Sequence, residues 1–337
     1  HSYLVYGPLA NGATTVMFEG VPNYPDYGRF WEIIEKHKVS QFYTAPTAIR
    51  AIAKENINLV EKHDLSSLKV LGSVGEPINE EAWHWYNNNI GKKKIPVIDS
   101  WWQTETGGIM ISPIPYVTPT TPTYATLPFI GIQPAIMDAK GNELEGNQVE
   151  GNLCIKFPWP SIARTIWGNH ERYKDTYFSA YNNMYFTGDG ALKNAVGYYR
   201  ITGRVDDVII VSGHNLGTAP IEDAINEHPA VVESAIVGIP HPIKGSALYG
   251  YITLKYLDKS RDQESLKKEI NQLISKHIGP IAKLDKIQFT EGLPKTRSGK
   301  IMRRILRKIA EGNTSNLGDT STLLDPTVVD EIKNNAL

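Results

Sequence analysis

Short apolar runs alternate with amphipathic stretches through the first third of the chain. Thr14-Thr15-Val16-Met17-Phe18 predicts a strand, Phe30, Ile33, Ile34 and His37 recur along one helix face, and Val39 to Tyr43 returns to strand. Thr47 to Lys54 predicts a second helix, and Leu68 to Val74 a buried strand followed by a glycine turn. Strand–helix alternation predicts a mostly parallel sheet with helices on its faces, and ligands in such sheets gather at the carboxyl ends of the strands.

Further on the pattern changes. Ser112 to Pro128 is rich in Pro and Thr and predicts a long loop, and Leu127 to Ile155 predicts short strands with a hairpin turn at Asp138-Ala139-Lys140-Gly141-Asn142. This reads as a β-rich subdomain over about 127–205. Val208 to Val211 predicts a strand, and Ser212 to Gly217 a glycine-bracketed turn. Thr218 is the expected N-cap of a helix running toward Asn226, with Pro220 tolerated in its first turn. Strands are expected at Val231–Gly238 and Ala247–Leu254, and an amphipathic helix at Glu264–Ile278. A last helix carries Ile301, Ile305, Leu306 and Ile309 on one face. The fold class is α/β: part of a large mixed α/β domain with a β-rich subdomain, then a small α+β domain.

The 337 residues suffice for two cores, and 41% hydrophobic with 21% charged residues is ordinary for a globular protein. A formal charge of −1 gives no global argument for nucleic acid or a membrane surface. Cys154 is the one cysteine, which excludes a disulfide framework and a thiolate zinc site. No apolar run approaches a membrane span and no signal-peptide pattern opens the chain, so the expected compartment is the cytoplasm. The chain starts at His1 inside an apolar segment and reads as the later part of something longer.

Chemistry-bearing residues concentrate in three stretches. Thr187-Gly188-Asp189-Gly190 predicts a tight turn holding a carboxylate out from a loop, with acceptor sites for both hydroxyls of a cis-diol. Ile201-Thr202-Gly203-Arg204 follows, then Val205-Asp206-Asp207. Arg204 offers a planar fork of donors for a ribose oxygen or a phosphate, although an Arg before two Asp is commonly a surface salt bridge. In Asp99-Ser100-Trp101-Trp102-Gln103-Thr104-Glu105-Thr106-Gly107-Gly108, Thr104 offers a hydroxyl to phosphate and Glu105 a hard oxygen to Mg2+. The glycines are expected to free the backbone to approach a ligand. Gly75-Glu76-Pro77 is, on local evidence, a βα turn with Pro in the first helical turn. Leu293-Pro294-Lys295-Thr296-Arg297-Ser298-Gly299-Lys300 precedes the basic amphipathic helix.

In this order the motifs resemble the domain junction and catalytic loops of the acyl-adenylate-forming enzymes, with wording most similar to the AMP-forming acetyl-CoA synthetases. The resemblance implies a ligase that converts acetate and ATP to acetyl-AMP and pyrophosphate, then transfers the acetyl group to CoA. It assigns Asp189 to the ribose, with Arg204 following, and makes Asp206 the hinge between domains 1–206 and 207–337. Gly75, Glu76 and Pro77 would line the adenine pocket largely through backbone, with Asp99, Ser100, Trp101, Trp102, Gln103 and Thr104 as further nucleotide contacts. Trp102 would close an acyl pocket of two or three carbons, with Val74 as another wall. Asn23, Ser212 and Gly213 match CoA contacts, and Asn226, His228 and Val231 align with a cation loop, though a His before Pro is commonly just a helix end. Lys300 would be the catalytic lysine, its ammonium bridging the substrate carboxylate and the α-phosphate. Acetylation of Lys300 would then be a switch, implying a lysine acetyltransferase and deacetylase as partners.

The sequence also departs from the family's pattern. Asn215 stands where an ATP-contacting Arg is usual, Pro220 replaces a common Glu, and Ser275 replaces an Arg near the CoA 3′-phosphate. The family's Ser/Thr/Gly-rich phosphate loop is absent from these residues. Two alternatives stand beside the acetate reading: a propionyl-CoA synthetase, and a fragment that binds nucleotide or CoA without adenylating.

Overall fold

A computed structural model describes residues 2–296, 299–315, 317–318 and 320–337, with the side chains of Ser2, Asn215 and Leu257 outside the description. The chain divides into two compact units, His1–Ile201 and Thr202–Leu337. The expected boundary at Asp206 falls just inside the second unit.

In the first unit, α1 (Arg29–His37) leads into β1 (Gln41–Thr44), α2 (Pro46–Ala53), β2 (Val70–Ser73), α3 (Glu80–Trp85) and β3 (Val97–Asp99). The strands form a parallel sheet in the order β1-β2-β3, with Thr44 opposite Ser73 and Ser73 opposite Asp99. Their carboxyl ends therefore align, and the loops after Thr44, Ser73 and Asp99 emerge side by side. The helices pack through Trp31 and Ile34 of α1, Ile49 and Ile52 of α2, and Ala82 and Trp83 of α3, against Leu71 and Val97 of the sheet. Thr14–Phe18 is irregular rather than a strand, because no described strand offers it a ladder; Met17 is exposed and Thr15 Oγ1 donates to the Leu4 carbonyl.

The rest of this unit is built on an antiparallel sheet ordered β4-β5-β6-β7, from β4 (Pro134–Met137), β5 (Val149–Ile155), β6 (Tyr185–Lys193) and β7 (Tyr199–Arg204). The α4 helix (His170–Phe178) is capped by Asn169, whose side chain accepts from Arg172 N. The Thr187–Gly190 segment is not a turn out of a loop. It lies inside β6, where Asn152↔Gly190 and Cys154↔Phe186 bracket a register shift. Gly188 at φ 71° permits this bulge, and it aims Asp189 by re-directing a strand rather than by ending one.

The second unit continues with β8 (Ile209–Val211), β9 (His214–Leu216), α5 (Thr218–Asn226), β10 (Val231–His241), β11 (Gly245–Leu254), α6 (Gln263–His277), β12 (Lys286–Thr290), α7 (Arg303–Ala310) and α8 (Thr327–Asn334). The sheet order is β10-β11-β8-β9, with β12 parallel to β11. Strand alternation sorts the side chains onto two faces. Ile236, Leu248 and Ile252 pack against Ile221 and Ile225 of α5 and Leu266, Ile270 and Ile274 of α6. Ala235, Val237, Tyr249 and Tyr251 pack against Ile305, Leu306 and Ile309 of α7 and Val329 and Ile332 of α8. Two expectations are corrected here. The segment after Ser212-Gly213 is the strand β9, paired with β8 through a two-residue turn, rather than turn throughout. Thr218 opens α5 as its first residue, and Gly217 is the N-cap.

Candidate functional site

Two stretches separated by more than a strand-and-helix unit meet in the first unit. The Trp101 indole N–H donates to Asp189 Oδ2 at 3.1 Å, and Gln103 Nε2 donates to the same oxygen at 3.0 Å and to the Thr187 carbonyl at 2.7 Å. Gln103 is fixed in turn by Tyr185, whose hydroxyl donates to Oε1 at 3.0 Å, and by its own amide, which donates to Thr106 Oγ1 at 3.0 Å. The Asp189 amide closes the arrangement on Thr187 Oγ1 at 3.0 Å. Asp189 is only 7% exposed, so its carboxylate is held in one orientation by donors. An ionised carboxylate has about four acceptor positions, so it accepts from several donors at once.

At the end of β3, Asp99 is buried beside Ser73, and burial pushes its carboxyl up to about 7. Ser100 Oγ lies 3.2 Å from Ser112 Oγ. Trp102 meets Tyr3 edge-to-face at 5.1 Å between ring centroids. Its indole N–H is buried without a hydrogen-bond partner among the described residues, and so are the hydroxyls of Tyr43 and Ser73. Burial raises the Tyr43 phenol above its ordinary value, and Ser100, Trp102 and Asp99 all lie close enough to influence it. The ring reaches there because it crosses Gly72: a Cβ on that glycine would sit 2.0 Å from Tyr43 Cδ2. Buried polar atoms without a well-formed partner call for an explanation, and a bound water or ligand at these strand ends would supply one. Tyr43 and Ser73 do not stand out in the sequence; the available signal is a glycine in a buried strand, which marks close approach of a neighbour.

The remaining expected residues fall as follows. Glu105 is half-buried and accepts from the Tyr177 hydroxyl, whose ring stacks on Tyr185 at 5.1 Å. Thr104 is exposed. Gly107 and Gly108 are approached by Ser161 rather than by open space: a Cβ on Gly107 would lie 2.3 Å from the Ser161 carbonyl oxygen. Their role here is close packing of two chain segments. Gly75 has φ 101° and is exposed, Val74 and Pro77 are half-buried, and the Glu76 carboxylate is turned onto α2. Asn23 lies in an exposed turn before α1.

In the second unit, Arg204 Nε donates to Asp206 Oδ1 at 2.9 Å. Arg307 of α7 donates to the Asp206 carbonyl at 3.2 Å and to Asp207 Oδ1 at 2.8 Å, fixing the turn Val205–Asp207 to this unit. Ser212 (φ 50°) and Gly213 (φ 83°) form the β8–β9 turn, and a Cβ on Gly213 would meet nothing, so its backbone angle requires the glycine. Asn215 is the middle residue of β9, its side chain outside the description. Lys300 is exposed at the end of a tight loop: Thr296 N donates to the Lys300 carbonyl at 2.9 Å, and Lys295 pairs with Glu233 at 2.5 Å. Arg297 and Ser298 of this loop lie outside the described residues. Asn226, His228 and Val231 lie at the end of α5, in the turn after it and at the start of β10, where the side chains of the first two are engaged within the protein. His228 Nδ1 accepts from Ala230 N at 3.2 Å, leaving Nε2 to donate to Glu269 at 3.1 Å, and Asn226 Oδ1 accepts from Ser234. No group of three His, Cys, Asp or Glu able to hold a metal occurs among the described residues. No described helix is long and apolar enough to cross a membrane.

Comparison with known proteins bears on both units. Residues 1–167 match the model of the AMP-binding enzymes, and residues 220–300 that of the AMP-binding enzyme C-terminal domain. Acetyl-coenzyme A synthetases of Brucella anthropi and Syntrophobacter fumaroxidans are each 58% identical over 335 residues, which is 99% of this chain and 51% of theirs. The chain thus spans about half the length of these curated relatives. The crystal structure of the anthranilate CoA ligase AuaEII with anthranoyl-AMP superimposes with a TM-score of 0.76 at 28% identity, over 89% of this chain and 55% of that one.

Proposed function

Because this chain belongs to the AMP-binding enzymes, we propose that it carries the nucleotide, acyl and CoA determinants of an AMP-forming acetate–CoA ligase. The observation that carries this reading is the convergence of Trp101 and Gln103 on the buried Asp189 carboxylate. Donors that fix one oxygen pre-aim the carboxylate as an acceptor for the ribose hydroxyls of ATP. In the first half-reaction an acetate oxygen attacks the α-phosphorus and the bond to pyrophosphate breaks, giving acetyl-AMP. In the second, the CoA thiolate attacks the acetyl carbonyl and AMP leaves. Lys300 supplies the positive charge that the first transition state needs, and Ser212-Gly213 lies along the CoA path. Asp206 is the hinge of the domain alternation between the halves. The indole of Trp102 limits the acyl chain, favouring acetate over propionate.

Mg2+ suits Glu105 on its oxygen chemistry, since this ion takes one or two carboxylates and completes its shell with phosphates and water. When bound it neutralises phosphate charge. Asn226, His228 and Val231, between α5 and β10, are proposed as a further cation loop. A cytoplasmic location and acetylation of Lys300 by an acetyltransferase, reversed by a deacetylase, complete the reading. A second reading, a nucleotide- or CoA-binding chain without adenylation, is favoured by Asn215, which stands where an ATP-contacting Arg is usual.

The test is acetate-dependent ATP–pyrophosphate exchange, on this chain and on the chain extended upstream to its relatives' length. Exchange that requires acetate and disappears in Lys300→Ala supports the ligase. AMP binding with no exchange in either form supports the second reading.

A further inference from the structure

The side chain of Glu76 has a task that its place beside the nucleotide determinants does not suggest. Helix α2 begins with Pro46, which has no N–H, and its N-cap is Ala45, which has no side-chain oxygen to offer. The first amide needing an acceptor belongs to Thr47, and Glu76 provides it from the neighbouring β2–α3 loop: Thr47 N donates to Oε1 at 2.7 Å, and the Thr47 hydroxyl donates to the same oxygen. One turn along the helix, Arg50 Nη2 donates to Oε1 at 3.0 Å, to Oε2 at 3.1 Å and to Thr47 Oγ1 at 3.0 Å. The pair is largely withdrawn from solvent, with side-chain exposures of 14% for Arg50 and 30% for Glu76. Burial pushes the Glu76 carboxyl up, but the Arg50 charge and the Thr47 hydrogen bonds outweigh it and hold it below the ordinary range.

The strand register explains why these residues meet. Thr44 is opposite Ser73, and Val74 N donates to the Thr44 carbonyl at 3.1 Å, so the loops after β1 and β2 run together. Gly75, with φ 101° and nothing near its absent side chain, is the adaptable residue of the second loop. A charged clasp immediately after it removes that adaptability.

We infer that Arg50 and Thr47 are positioning residues for the nucleotide site, clasping the Glu76 carboxylate so that the Gly75–Pro77 backbone is presented in one conformation to the purine of ATP. The inference rests on the ligase reading for its ligand; the clasp itself can be tested without it.

The experiment compares Arg50→Gln and Arg50→Lys with the unmodified sequence, in the chain and in its upstream-extended form. Pyrophosphate exchange gives separate KM values for ATP and acetate, and hydrogen–deuterium exchange follows the peptide spanning 74–80. In Arg50→Gln the KM for ATP rises on the order of tenfold, the size expected for one lost charge-assisted hydrogen bond. The KM for acetate at saturating ATP stays within twofold, while peptide 74–80 exchanges faster and β2 does not. Arg50→Lys, which keeps the charge and loses the fork, recovers part of both effects. An unchanged ATP KM, or equal rises in both KM values, overturns the inference, and so does unchanged protection of 74–80. If the unmodified protein shows no exchange activity, the ligase reading fails, and the protection of 74–80 still decides whether the clasp exists.

Discussion

At Asp99 the fold buries a carboxyl to 7% exposure, and burial raises its titration from 3.8 to about 7. The sign follows directly. The folded state binds a proton there that the unfolded chain has released, so the contribution to stability is full below about pH 4 and is lost as pH rises through 7. Chemical denaturation between pH 4 and 8 is expected to show stability falling with pH, by an amount on the order of a few kcal/mol. Asp99→Asn flattens that slope; an equal slope in the variant contradicts the assignment. Glu76 acts in the opposite sense: its carboxyl is held below 4.5, so its contribution is present above that value and is lost as pH falls through its folded titration. Tyr43 permits a second test at this scale. Its hydroxyl is buried without a partner among the described residues, so Tyr43→Phe should leave the melting temperature unchanged or higher, since no protein hydrogen bond is removed. A clear fall would mean that the hydroxyl is bonded within the protein.

Among the elements, β6 and the loop after β3 show what the sequence could and could not convey. The motifs locate Asp189, Trp101 and Gln103, and periodicity finds the helices over Phe30–His37 and Glu264–Ile278 within a residue or two. Contact between the two motifs is not legible, because it arises from a bulge in β6 and no local pattern announces which strand lies opposite. The Thr14–Phe18 segment misleads for the same reason: strand propensity is realised only where a ladder exists. The paired glycines Gly107 and Gly108 are legible as a close approach but not as to what approaches, which is Ser161. Gly107→Ala puts a methyl 2.3 Å from that carbonyl at a backbone φ of 67°, so it is expected to destabilise by about 2 kcal/mol or more. Urea denaturation measures this, and a loss under about 0.5 kcal/mol would show that the loop moves without cost.

For the molecule as a whole, each of the two units has its own core, and the likeness to relatives covers nearly all of the chain but only 51% of theirs. In the second unit, Leu266, Ile270 and Ile274 repeat every fourth residue of α6 and lie fully buried against the sheet. Ile270→Ala should cost about 2–5 kcal/mol in that unit. If the units unfold as separate transitions, calorimetry will show only one of them shifted. A single transition shifted as a whole would mean that the units melt together. Function turns on something narrower: a carboxylate in the first unit, aimed by Trp101 and Gln103, is proposed to receive a ribose. Titration of AMP into the protein by isothermal calorimetry tests it most directly, comparing the unmodified chain with Asp189→Asn, which keeps an oxygen for the two donors but loses the charge. Binding that weakens about tenfold or more in Asp189→Asn while Lys300→Ala binds as before is the predicted result. Equal AMP affinity in Asp189→Asn, or no binding by the unmodified chain, would contradict it.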